Sequence, residues 1–157
     1  KVLNNKNFIF TQSAVEHFEF DDLFFSDLQD YAEKVKHPFL QIHLIPSPSC
    51  LWEYLWHGYR QYSIKKISQI YQRLWSTSKF IAVKLGGKNC HRVHIKNITL
   101  PMISKKLSIR DTDIEKYDEL VKKAIKDDLL DNNPKNASFY ALIIFSNIEV
   151  PRDFYST

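Results

Sequence analysis

Glycine is scarce in this chain: three residues in 157, at positions 58, 86 and 87. A phosphate-binding P-loop or a dinucleotide fingerprint needs several glycines at fixed spacing, so neither is present. Gly86-Gly87-Lys88 offers at most a cradle for one phosphate, and a tight turn accounts for it equally well. Cysteine is almost as rare. Cys50 and Cys90 are too few and too far apart for a disulfide framework, so reduced thiols in an intracellular protein, nuclear or cytoplasmic, are the expectation. No apolar run approaches the ~18 residues of a membrane span, and no membrane is expected among the partners. Methionine occurs once, at Met102, and the chain begins at Lys1. The expectation is a fragment or processed product that is part of a larger polypeptide or complex.

Acids are missing from one block. Residues 51–110 hold twelve Lys and Arg against one acid, Glu53, whereas 1–50 and 111–157 carry net charges of −3 and −4. An imbalance of that size is neutralised by the flanks folding against it or by an acidic partner. What the chain has in plenty is aromatic side chains, 14% of its residues, which together with few glycines points to a bulky core. One domain over 1–157 is expected from length alone.

Within the basic block, residues 51–77 place Trp52, Trp56, Tyr59, Ser63, Ile67, Ile70, Tyr71 and Leu74 on one side at helical spacing, with a polar face opposite. The spacing predicts one long helix with Ser49 as its N-cap and Trp52, Trp56, Ile67 and Leu74 buried. From about residue 80 the period changes to two. Ile81, Val83, Val93 and Ile95 alternate with polar residues around Gly86-Gly87-Lys88-Asn89, which predicts a β-hairpin over about 80–100. If those apolar residues face the core, Lys84, Arg92, His94 and Lys96 form a basic ribbon with Lys88 at its tip.

Elsewhere Phe8-Ile9-Phe10 and His17 to Phe20 read as short strands, and Asp21-Asp22 open a helix that Pro38 ends. Phe39 to Ile45 is a buried strand with Leu40, Ile42 and Leu44 on one face. Thr112-Asp113-Ile114-Glu115 resembles a capping box, with Ser108 to Asp111 as a second registry, for a helix to about Leu130. Phe139 to Phe145 is a continuous apolar run, as expected of a central strand covered on both faces. The expected fold is α+β, a single domain with a mixed sheet of about four to five strands, three helices and the hairpin.

No constellation names a reaction. Cys90-His91-x-x-His94 has metal-ligand residue types, but a structural zinc needs four ligands and the second pair is missing. Neither metal nor other cofactor is expected. Cys/His pairs are available without any sign of an activated thiolate, and adjacent acids such as Asp127-Asp128 diverge on a helix. No pattern supports an enzyme. The expectation is a non-enzymatic binding domain whose helix–hairpin surface, 51–110, engages nucleic acid through Lys65, Lys66, Arg73, Lys84, Lys88, Arg92 and Lys96. The alternative is a protein-interaction domain, a subunit of a complex, that docks an acidic or amphipathic partner segment on the same surface.

Overall fold

The structure, a computed structural model, describes residues 6–52, 60–74 and 78–147, the side chains of 51, 52, 73 and 74 excepted. Strand β1 (Phe8–Gln12) is followed by helix α1 (Asp21–Lys34), β2 (Phe39–Pro46), α2 (Ile64–Leu74), β3 (Lys79–Leu85) and α3 (Lys88–His94). A π-helical turn, Ile95–Thr99, continues α3 into α4 (Leu100–Ile103); α5 (Ile109–Thr112), α6 (Ile114–Asp128) and β4 (Phe139–Ser146) complete the chain. The strands form one mixed sheet in the order β1-β2-β4-β3. β1 is parallel to β2, and β4 is antiparallel to both β2 and β3, so β1, β2 and β3 all run the same way. The fold is α+β, and the apolar run expected to be central is central.

Helices α1 and α2 cover one face of the sheet. There Val15, Phe25, Ile45, Tyr62, Ile67, Ile70, Tyr140, Leu142 and Ile144 form the core, each at most 4% exposed. Ile67 and Ile70 lie one turn apart on α2, as helical spacing requires. On β2 the fully buried set is Phe39, Gln41, His43 and Ile45, not the Leu40, Ile42 and Leu44 set, which is half-buried. His43 tolerates this through two contacts: Gln41 Oε1 lies 3.2 Å from His43 Nε2, and Thr11 Oγ1 is 2.9 Å from Nδ1, while Gln41 Nε2 has no partner among the described residues. The other face is partly open, with Phe8 and Phe10 49% exposed at its edge.

The long helix over 51–77 does not form as one piece. Residues 48–52 make a 3-10 turn, 60–63 are irregular, and α2 begins only at Ile64, where Ser63 Oγ accepts from Lys66 N at 3.2 Å. Long-range bonds hold 60–62 out of a helix. Tyr62 N donates to Pro46 O (2.8 Å), and the Tyr62 hydroxyl donates to Asp21 Oδ2 (2.9 Å). The Arg60 fork reaches Asp21 Oδ1 and the carbonyls of Phe18 and Glu19. Asp21 thus anchors this segment from the first turn of α1. The expected burial of Trp52, Trp56 and Leu74 falls outside the described residues and side chains.

The hairpin over 80–100 is absent. β3 is a strand, but it pairs with β4, and the chain turns at Gly86 (φ +62) into a helix. Val83 is also on the open side rather than in the core. His17 to Phe20 is likewise no strand, its first residue closing a 3-10 turn. Of the two capping registries, Ser108 and Asp111 box the short helix α5, whereas the Thr112–Glu115 box does not form: α6 is capped one residue later by Asp113, which accepts from Lys116 N, and the Thr112 hydroxyl donates to Ser108 O instead.

Candidate functional site

What starts α3 comes from 38 residues further along the chain. Asp128, the last residue of α6, places its carboxylate at the first turn of α3. Oδ1 accepts from the backbone and side-chain amides of Asn89 (3.0 Å each), and Oδ2 accepts from Cys90 N at 2.9 Å. Helix N-termini carry unsatisfied N–H groups and a partial positive charge, so a carboxylate there is favourable. Burial raises the Asp128 carboxyl, but the donors of Cys90 and Asn89 together outweigh it and hold its pKa below the usual value. A Cβ on Gly87 would stand 2.8 Å from this carboxylate, which explains glycine at that position. The Gly86-Gly87-Lys88 turn therefore receives an anion from the protein itself rather than a phosphate.

Beyond this cap the helix runs unbroken to Ile103. Pro101 cannot donate a backbone bond and its ring crowds the preceding turn, and the π-helical turn lies directly before it. The Asn97 side-chain amide donates to Val93 O at 2.8 Å, occupying one carbonyl of this altered stretch.

Of the cations expected to act together, this helix gathers three. Lys88, Arg92 and Lys96 are exposed and four residues apart, about 6 Å per step along the axis. They lie on a helix rather than a hairpin ribbon. Lys84 does not join them: its ammonium donates to Asp131 O and lies 3.5 Å from Asp131 Oδ2. Lys66 pairs with Asp22 at 3.1 Å. Lys65 is exposed on α2, and the side chain of Arg73 lies outside those described.

Three further cations, absent from the expected set, follow the end of this helix: Lys105 and Lys106 in the connection after Ile103, and Arg110 on α5, all exposed. From Lys88 to Arg110 the chain has six Lys and Arg and no acid. Interleaved with them are Leu100, Met102, Ile103 and Leu107, exposed by 52%, 61%, 61% and 75%. No aromatic residue occurs in the segment. The charge was legible in sequence; the exposed apolar residues were not, because Met102, Ile103 and Leu107 follow the expected hairpin in a stretch with no readable period.

The chain matches no protein-family model and no curated protein.

Cys90, His91 and His94 do not point to opposite strand faces, since they share α3. His91 is buried, with Nε2 3.4 Å from Ser138 Oγ, and His94 Nδ1 lies 3.3 Å from Thr99 Oγ1. The Cys90 side chain also bonds to Asp128. Among the described residues no three His, Cys, Asp or Glu side chains gather as a metal site, and no helix is long and apolar enough to cross a membrane.

Proposed function

We propose that this chain is a non-enzymatic binding domain that docks an acidic, amphipathic protein segment on residues 88–110. One observation carries the reading: between the start of α3 and α5 six cations and four aliphatic side chains are exposed, and the span holds no acid. Cations alone suit any polyanion. Exposed Leu100, Met102, Ile103 and Leu107 gain nothing from a phosphate backbone, whereas the apolar face of an amphipathic helix covers them.

Nucleic acid is the second reading, favoured by the Lys88-Arg92-Lys96 line. Phosphate contacts from such a line would be indifferent to sequence, and the segment has no Phe, Tyr or Trp ring on which to stack a base.

The test uses a synthetic helical peptide with one Glu face and one Leu face, beside a duplex DNA. Lys88→Ala, Arg92→Ala, Lys96→Ala together should weaken peptide binding at least tenfold and leave thermal stability nearly unchanged, because exposed charges contribute little to folding. A chain that binds the duplex but not the peptide would transfer the surface to nucleic acid. A chain that binds neither would remove the proposal.

A further inference from the structure

One cleft is explained by neither the basic segment nor the cap. It has a volume of about 370 Å³, opens to solvent, and lies between the sheet and the α3–α6 pair. Gln12 and Ser13, Leu44, and Leu85 with Gly86 form its sheet side, so it sits at the carboxyl ends of β1, β2 and β3. Cys90 and His94 of α3 and Tyr117, Val121 and Ile125 of α6 form the opposite wall. We propose that this cleft binds a small, uncharged, largely apolar molecule.

Size, chemistry and backbone all point that way. The volume falls within the roughly 300–1,000 Å³ of small-molecule sites. No Lys, Arg, Asp or Glu lines the cleft, so an ion entering it would lose hydration without meeting a permanently charged side chain. Its walls are mainly Leu44, Leu85, Val121, Ile125 and Phe139, with Tyr117 and Ser138 among the polar groups. Tyr117, Val121 and Ile125 recur at one-turn spacing on α6, and they line the cleft where an amphipathic helix would ordinarily meet a packed core. Positive φ adds an independent sign. Ser13 (φ 46) and Gly86 (φ 62) both line the cleft, and left-handed backbone at a non-glycine residue such as Ser13 clusters at binding sites.

The site is independent of the basic segment, because Cys90 and His94 project from the side of α3 opposite Lys88, Arg92 and Lys96. The probe is 4-phenylphenol, a neutral aromatic body with one hydroxyl, titrated into the isotopically labelled chain and followed by amide chemical shifts. Saturable shifts at Cys90, His94, Tyr117, Val121 and Ser138 are expected. Val121→Trp, which fills the cleft, should weaken binding at least tenfold, and the milder Val121→Met should weaken it less while keeping the fold. The charged analogue 4-phenylbenzoate should bind at least tenfold more weakly than the phenol. Absence of saturation, shifts centred on Phe8 and Phe10, equal binding of the charged analogue, or binding that neither variant alters would each overturn the assignment.

Discussion

Replacing Asp128 by alanine tests the tertiary cap of α3. The change deletes both acceptor oxygens and leaves the backbone N–H groups of Asn89 and Cys90 without them. Losing an N-cap acceptor costs about 1–2 kcal/mol, and orphaning a buried donor about 1–3 kcal/mol. Asn89 and Cys90 are half-buried, so water recovers part of the second cost, and about 2–4 kcal/mol is the expected total. Urea unfolding monitored by circular dichroism measures it, with an unchanged m-value showing that the folded state is otherwise kept. Gly87→Ala supplies the control, because its new methyl group would press on the same carboxylate at 2.8 Å. Its cost should fall by at least half in the Asp128→Ala background, as coupled sites require. The pH dependence follows from a carboxyl whose folded pKa is lowered from 3.8. The cap's contribution is fully present above that value and is lost as pH falls below it. A loss under about 0.5 kcal/mol at neutral pH, or strict additivity with Gly87→Ala, would refute the cap.

Burial lowers His43 from 6.5 to about 4, so the folded protein keeps it neutral while the unfolded chain takes up a proton. Stability should be full above pH 6.5 and fall towards pH 4 by up to about 1.4 kcal/mol per pH unit, and a His43→Leu chain should show a shallower slope in urea midpoints across that window. Equal slopes would contradict it. Tyr62→Phe removes the hydroxyl that donates to nearly buried Asp21, which also accepts from Arg60 at 2.8 Å. A loss of about 1–2 kcal/mol in urea unfolding is expected, and a change under about 0.3 kcal/mol would remove Asp21 as the anchor of residues 60–62.

The sheet was legible wherever apolar runs were strong. Phe139 to Phe145 announced a central strand, and Pro38 and Pro46 bracketed β2. Local capping was legible at Ser108–Asp111, whose contacts lie within one turn, and missed by one residue at α6, where Asp113 takes the place expected of Thr112. What failed depends on distant partners. Alternating Val93 and Ile95 beyond two glycines resemble a hairpin until Asp128 supplies the charge that starts a helix there. Nothing near Tyr62 in sequence reveals that Asp21 and Pro46 will hold its segment out of α2. On β2 two polar residues at alternate positions hid the buried face, because the contacts of His43 with Gln41 Oε1 and Thr11 Oγ1 exist only once the chain is folded. At the candidate site, Lys84 and Lys66 left the surface once tertiary contacts supplied Asp131 and Asp22.

The most direct measurement of the proposed docking surface is the affinity of the acidic amphipathic peptide for the chain carrying Met102→Ser and Ile103→Ser, at low and at moderate salt. Both side chains are 61% exposed, so about 1 kcal/mol of burial remains to be gained at each on binding. The account predicts a loss of about thirtyfold that persists at both salt concentrations, because apolar contact is little screened. Affinity unchanged by the double substitution, with binding that instead falls a thousandfold or so between about 50 and 200 mM salt, would contradict it and mark the surface as a phosphate-backbone site.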